Sequence, residues 1–274
     1  MNIPADPLAA LAALGEVDRA VAAARAAVDE LQTHPALRRK GAQVAAECGL
    51  RAARASAALA GADVPLGALR ADQWPAGRPP VVAAAVRVVA QTPATVPVWS
   101  RAPLQALASL HVAAASDVLP PDLLGRPRPA GVDPQPEAGD RPDADRWPDA
   151  QEVRARLDLL VDLLTRPTGA PALVVAAVVH GELMALRPFA WGNGLVARAA
   201  ARMVGMDRGL DPAGVAVPEA GLALDGPRGY LDALAAFASG RPEGVAAWIV
   251  RCARAYVEGA QEGLDAADLV ASQP

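Results

Sequence analysis

The apolar run from residue 170 to residue 186 constrains the fold more than any other segment of this sequence. The polar residues His180 and Glu182 interrupt the run, and Pro171 and Pro188 mark its two ends. A helix that crosses a bilayer needs about 20 predominantly apolar residues, so this run is too short and too polar to be a membrane span. It predicts a helix that is buried in the core of the protein.

The composition of the whole chain also favours helices. Apolar residues make up 53% of the 274 residues but aromatic residues only 3%, so Ala, Val and Leu supply most of the apolar content. Ala and Leu are among the strongest helix formers. A chain of this length has room for one large domain. We therefore predict an all-α fold, a helical bundle built around the buried helix.

Apolar spacing and the positions of Pro and Gly divide the chain into predicted helices. These helices cover 7–32, 41–60, 80–91, 101–116, 149–165, 171–186, a stretch from about 195, 228–239 and 243–264. The segment 120–148 is dense in Pro, Gly and Asp, which predicts a long surface loop, either a lid or a disordered excursion. The predicted organisation is an N-terminal helical segment at 1–40, a helical domain at 41–264 and a C-terminal tail at 265–274.

Charge and cysteine usage exclude several classes of function. The net charge is −4 and the isoelectric point is about 5.4, which argues against a nucleic-acid partner. The N-terminus lacks the basic region and apolar run of a secretory signal, so we expect a cytoplasmic protein without a membrane partner. Cys48 and Cys252 lie far apart and match no metal-binding spacing, so we predict no metal site.

A short loop after the predicted buried helix is the strongest functional signal. Gly192 and Gly194 permit backbone geometry that other residues resist, and the loop opens directly into the N-terminus of the next helix. Free N–H groups and the helix dipole favour an anion at such a position. Arg198, one turn inside that helix, adds a guanidinium suited to phosphate. Alone the signal is weak, because a Gly-Asn-Gly segment is usually only a turn.

The segment resembles the signature of the Fic family, His-Pro-Phe-x-(Asp/Glu)-Gly-Asn-Gly-Arg-x-x-Arg, which follows a buried helix with an upstream His. The matching residues are Pro188, Phe189, Gly192, Asn193, Gly194 and Arg198, with His180 in place of the upstream His. The resemblance covers about residues 40 to 262. It implies a Fic-like helical bundle on an AMP-transferase scaffold. Its phosphate-binding residues would be Gly192, Asn193, Gly194 and Arg198, and its pocket residues Phe189, Trp191 and Leu195.

Three positions depart from the signature, and each one carries chemistry in the family. Arg187 stands where the family has its general-base His, and a guanidinium stays protonated and cannot accept a proton. Trp191 replaces the acidic metal ligand and offers no oxygen to Mg²⁺. Leu195 replaces the first motif Arg. A general base alone is typically worth about a hundred- to ten-thousand-fold in rate, so we predict that ordinary AMP transfer is absent. Arg187 then either binds an anion or pairs with a local carboxylate.

A second family motif is also altered. Many Fic proteins carry an inhibitory helix, (Ser/Thr)-x-x-x-Glu-(Gly/Asn), whose Glu pairs with the second motif Arg. The segment from Ser56 to Gly61 has this spacing, with Ala60 in the position of the Glu. The resemblance implies that this chain carries a degenerate inhibitory motif without its carboxylate.

Three functional hypotheses follow. The favoured one is a non-catalytic Fic-like protein that binds a nucleotide without Mg²⁺, another anionic molecule or a protein partner. The second is an enzyme with altered transferase chemistry that uses a pocket of Arg187, Trp191, Asn193 and Arg198. The third is a helical interaction module whose loop binds nothing. The resemblance leaves a homo-oligomer open, since Fic proteins often self-associate.

Overall fold

The computed structural model describes residues 6–71, 79–140 and 147–273, and this part of the chain contains helices and no strand. The predicted all-α fold is confirmed. One short 3₁₀ helix covers Pro121–Leu123. The twelve α-helices are α1 Pro7–Ala12, α2 Gly15–Gln32, α3 Pro35–Leu59, α4 Leu66–Arg70, α5 Pro80–Trp99, α6 Pro103–Ala115, α7 Ala150–Thr165, α8 Ala172–Leu186, α9 Asn193–Asp207, α10 Pro218–Ala223, α11 Gly226–Ala238 and α12 Pro242–Ser272.

Helix α8 forms the centre of the core, as the apolar run predicts. It packs against α9, α11 and α12, and eleven of its fifteen residues are buried. The indole of Trp248 from α12 is fully buried against it and donates a hydrogen bond from Nε1 to the carbonyl of Ala177 at 2.8 Å. Because α8 is enclosed by helices on several sides, the loop that follows it is held in place at both ends.

Four predicted helix boundaries are wrong, and the first is the start of the predicted helix 41–60, because α3 begins at Pro35 and only kinks at Lys40. The predicted helix 7–32 is two helices, because the chain leaves the helical path at residues 13 and 14. Helix α5 continues past residue 91 to Trp99, through Pro93 and Pro97. A proline inside a helix costs about 3 kcal/mol. The helix persists because Thr92, Thr95 and Trp99 are buried on its inner face.

The C-terminal helix is also longer than predicted and crosses the expected boundary at residue 264. Helix α12 runs to Ser272 because its last turns bury Ala266, Ala267 and Val270. The ammonium of Lys40 donates hydrogen bonds to the carbonyls of Val270 and Gln273. The only lysine of the chain therefore ties the kink in α3 to the end of α12.

Among the described residues, α5 is the one helix whose length and apolar composition match a membrane span. One side of this helix packs against α3, α6 and α9. Its Arg87 donates from Nε to the carbonyl of Ala113 on α6 at 2.8 Å.

The described part of the predicted long loop runs from residue 120 to residue 140 and resumes at residue 147, while 141–146 lie outside the described residues. This part contains no α-helix, in agreement with its Pro-rich composition. It lies across the loop that joins α8 to α9, through two backbone hydrogen bonds to that loop.

Helix α12 approaches the segment before α10 so closely that one position requires glycine. The amide of Val217 donates to the carbonyl of Gly259 at 2.9 Å. A β-carbon added at Gly259 would lie 2.5 Å from both the carbonyl carbon of Val217 and the nitrogen of Pro218. These are backbone atoms, so no side-chain rotation can relieve the clash.

We expect Gly259→Ala to lower the free energy of unfolding by about 1–3 kcal/mol, because the two backbones must separate. Gly49→Ala is the matched control, since a β-carbon there meets only Cγ1 of Val89 at an ordinary 3.5 Å. The control should raise the free energy of unfolding by about 0.5–1 kcal/mol through helix propensity. Urea denaturation measures both, and equal effects of the two variants would contradict the close approach.

Candidate functional site

The anion loop, which we define as residues 187–194, turns the chain sharply between α8 and α9. Helix α8 ends because Arg187 adopts a left-handed conformation with φ of 43°, the only positive φ of a non-glycine residue in the described chain. Gly192 also has a positive φ, 76°, immediately before α9 begins at Asn193. The turn that the sequence predicts is therefore present, and its end presents the first amides of a fifteen-residue helix.

The side chain of Asn193 closes the anion loop from within. Its Oδ1 accepts a hydrogen bond from the amide of Phe189 at 2.9 Å, and its Nδ2 donates to the carbonyl of Phe189 at 2.8 Å. The oxygen and the nitrogen of the Asn193 side chain, predicted to bind an anion, each make one of these bonds within the loop. The ring of Phe189 stacks on the imidazole of His111, with ring centroids 4.0 Å apart. Phe189, predicted as a pocket residue, thus anchors the loop in the core.

A carboxylate of the chain itself lies at the N-terminus of α9. The amide of Gly194 donates a hydrogen bond to Oε1 of Glu137 at 2.9 Å. A β-carbon added at Gly194 would lie 2.8 Å from Nη1 of Arg198 and 3.0 Å from Oε2 of Glu137. The carboxylate and the guanidinium therefore face the same side of Gly194. Glu137 thus places a carboxylate of the chain at the first turn of α9.

Arg198 connects this site to the end of α3. Its guanidinium is buried and donates from Nε to Oγ of Ser56 at 2.7 Å and from Nη2 to the carbonyl of Ser56 at 3.0 Å. The segment Ser56, Ala60 and Gly61, predicted to be a degenerate inhibitory motif, thus lies next to the second motif Arg. Ala60 brings no carboxylate to it, and the nearest carboxylate at the loop comes from Glu137 instead.

Arg187 is paired with a local carboxylate, one of the two roles that the sequence leaves open. Its Nη1 and Nη2 lie 2.5 and 2.6 Å from the two carboxylate oxygens of Asp140. Its guanidinium carbon lies 4.0 Å from the centre of the Trp147 ring. The side chain is only 4% exposed, so it is enclosed by this pair and does not face a free ligand.

The covering segment, which we define as residues 128–140, holds these carboxylates over the anion loop. The amide of Arg128 donates to the carbonyl of Pro188 at 2.8 Å, and the amide of Gln135 donates to the carbonyl of Ala190 at 2.9 Å. The Nε of Arg128 also donates to the carbonyl of Arg187 at 2.9 Å.

The space left between the covering segment and the loop is small. It measures about 80 Å³ and is lined by Ala60, Glu137, Trp191 and Leu195, among others. Pockets for small molecules typically enclose roughly 300–1,000 Å³. Trp191 and Leu195 both line this space, which is smaller than a typical small-molecule pocket while Glu137 lies in it.

Comparison with protein-family models gives no match, and comparison with curated proteins gives no significant match. Comparison with solved structures does give matches. A Fic family protein from Desulfovibrio desulfuricans is 20% identical, with a TM-score of 0.69 over 90% of this chain and 74% of that chain. A Fic domain containing signaling protein from Bacteroides thetaiotaomicron is 13% identical, with a TM-score of 0.62 over 91% and 98%. Fic-1 from C. elegans is 16% identical, with a TM-score of 0.59 over 91% and 73%.

The chain has the Fic fold. The resemblance stated from the sequence is confirmed at the level of the fold. In this Fic fold the anion loop joins the buried central helix to the next helix.

Two buried histidines flank the loop of this Fic fold, and both are neutral. Burial, with a smaller contribution from the charge of Arg198, lowers the pKa of His180 to about 3. Its Nε2 lies 2.7 Å from the hydroxyl of Tyr230. That hydroxyl also accepts from Nη1 of Arg198 at 3.5 Å. Burial likewise lowers the pKa of His111 to about 4, and its Nδ1 accepts from the amide of Gly125 at 2.9 Å. Both rings are buried and hydrogen-bonded within the core.

Sequence reasoning missed Glu137, Asp140 and Arg128, the residues that cover the loop. They lie 47 to 59 positions before their partners, in a segment without periodicity. Their only signal was the acidic character of the Pro-rich segment, which is also typical of a solvated loop. Among the described residues, no group of three or more His, Cys, Asp or Glu side chains is arranged to hold a metal.

We expect Asn193→Ala to lower the free energy of unfolding by roughly 1–3 kcal/mol, because it removes both hydrogen bonds that close the loop and leaves the buried backbone groups of Phe189 unpaired. Gln135→Ala is the control, since it keeps the backbone amide that contacts Ala190 and changes only an exposed side chain. Urea denaturation measures the difference. A variant as stable as the control would contradict the closing role of Asn193.

The two depressed histidine pKa values predict a pH dependence of stability. Between about pH 6.5 and pH 4 the unfolded chain takes up protons on His111 and His180 that the folded chain excludes. The free energy of unfolding should therefore be highest above pH 6.5 and fall as the pH decreases through this window. We expect a double variant, His111→Gln and His180→Gln, to show a flatter profile from pH 6.5 to 5. Parallel profiles of unfolding free energy against pH for the double variant and the unmodified chain would contradict the prediction.

Proposed function

We propose that this chain is a Fic-fold protein that does not transfer AMP and that binds an anionic ligand at the N-terminus of α9. The ligand is a nucleotide without Mg²⁺ or another phosphorylated molecule. The supporting observation is the hydrogen bond from the amide of Gly194 to a carboxylate oxygen, beside the buried guanidinium of Arg198. The helix N-terminus and the guanidinium favour an anionic oxygen at this position, and an external anion would take the place of the carboxylate.

The chemistry at the loop supports a role without AMP transfer. The motif position of the general base holds Arg187, whose guanidinium is already paired with Asp140. Trp191 offers no oxygen to a metal ion, and Leu195 is buried and uncharged. Each of these substitutions removes a group that AMP transfer on this scaffold would use.

The alternative of an altered transferase needs Arg187, Trp191, Asn193 and Arg198 in one pocket. The side chains of Arg187 and Asn193 are engaged in contacts within the chain and do not line the cavity at the loop. We therefore prefer the binding role to this alternative.

One observation favours the helical interaction module as a second candidate. An apolar groove of about 420 Å³ lies between α3, α5 and α9, and it is larger than the space at the anion loop. Leu50, Val86, Val89 and Pro93 are among the residues that line it. If the loop binds no anion, the protein would act by binding a partner at this apolar groove.

Calorimetric titration with ATP tests the proposal. In EDTA we expect measurable heat, and saturating Mg²⁺ should change the affinity by no more than about twofold because no metal ligand stands at position 191. Gly194→Ala should weaken binding by about tenfold or more, because its β-carbon would lie where the anionic oxygen and Arg198 meet.

Gly49→Ala, a helical glycine away from the loop, should bind ATP as the unmodified chain does. Incubation with labelled ATP and cell lysate should label no protein. Absence of heat with every nucleotide would favour the interaction module, and strong labelling of lysate proteins would overturn the loss of AMP transfer.

A further inference from the structure

We infer that Glu137, carried by the turn of residues 137–140, is an internal anion that occupies the N-terminus of α9. An external diphosphate binds there by displacing Glu137. This inference rests on the proposed function and concerns the same site. It assigns to Glu137 the role of a competitor within the chain, and to Arg187 the role of its anchor.

Glu137 lies at the first turn of α9. Its carboxylate accepts from the amide of Gly194, and its second oxygen lies on the same side of Gly194 as Nη1 of Arg198. An external phosphate oxygen at the first turn of α9 would need that same amide. The two anions therefore exclude each other.

Hydrogen bonds within the turn hold Glu137 in place. The amide of Glu137 donates to Oδ2 of Asp140 at 2.6 Å, and the amide of Asp140 donates to the carbonyl of Glu137 at 3.1 Å. Asp140 in turn forms the two-pronged ion pair with Arg187, which Trp147 covers. Arg187, at the position of the family's general base, thus fixes the turn that carries Glu137.

The turn packs closely between the ends of two helices. A β-carbon at Gly61, just after α3, would lie 2.9 Å from Cβ of Ala138. Gly139 has a φ of 90°, and a β-carbon there would lie 2.9 Å from the carbonyl carbon of Pro227 at the start of α11. The turn therefore fits between α3 and α11, and its presence reduces the space at the loop to about 80 Å³.

The pair of carboxylates indicates the class of ligand. Glu137 occupies the helix N-terminus and Asp140 neutralises Arg187, so one short turn presents two anionic groups to two positive positions. A ligand that replaces both carries two linked anionic groups, which is the chemistry of an inorganic or nucleoside diphosphate. A single phosphate replaces only Glu137.

The inference predicts how affinity changes when the internal anion is weakened. If the open form is a minor fraction, the apparent dissociation constant is raised by the inverse of that fraction. Glu137→Gln keeps the shape of the side chain and removes its charge. We expect it to bind pyrophosphate about tenfold or more tightly than the unmodified chain.

Calorimetric titration of the full chain with pyrophosphate in EDTA is the test. Glu30→Gln removes the same charge from an exposed position on α2 and should leave the affinity unchanged. Asp140→Asn weakens the anchor and should give a smaller gain than Glu137→Gln. Combining Gly194→Ala with Glu137→Gln should abolish the gain. The gain in affinity caused by Glu137→Gln should be smaller for orthophosphate than for pyrophosphate.

Hydrogen exchange gives a readout that needs no ligand and detects misfolding. Glu137→Ala should accelerate exchange of the amides at 193–195 while leaving those of α8 protected. Equal pyrophosphate affinity of the unmodified chain and Glu137→Gln would overturn the inference and leave the proposed function standing. Failure of both proteins to bind any phosphate would overturn the proposed function as well. An equal gain for orthophosphate would overturn the diphosphate class.

Discussion

Two hydrogen bonds between the side chain of Asn193 and the backbone of Phe189 determine the arrangement of the whole site. They close the anion loop on itself, so α9 starts at a fixed point and its first amides face one direction. Phe189 can then stack on His111, which attaches the loop to α6. Without this closure Gly194 would have no defined partner. The loop is thus closed by contacts within the chain itself.

The residues that depart from the Fic signature have taken structural roles at the same place. Arg187 keeps a left-handed backbone, a conformation that costs a non-glycine residue roughly 1–2 kcal/mol. Its ion pair with Asp140, covered by Trp147, and the hydrogen bond from its amide to the carbonyl of Leu183 hold it there. Leu195 and Trp191 join the apolar lining of the small cavity. In this chain the residues at positions 187, 191 and 195 serve closure of the loop and the lining of the small cavity.

The accuracy of the sequence predictions follows the range of the interactions involved. Helix α8 and the sharp turn after it are set by local features, namely an apolar run, Pro188 and two glycines, and both were predicted correctly. The end of α5 was missed because burial of Thr92 and Trp99 outweighs the local effect of two prolines. The role of Arg187 depends on the path of a remote segment, so the sequence left anion binding and a carboxylate pair both open for it.

The sequence alone determined the all-α fold, the buried helix and the turn before α9. Each of these depends on residue type or on spacing within a few turns of helix. Only the tertiary structure decided that Glu137 and Asp140 occupy the site. Their segment lacks periodicity, and their bonds to Gly194 and Arg187 span 57 and 47 residues. The physical reason is that a carboxylate finds its donor only after the surrounding helices have fixed both backbones.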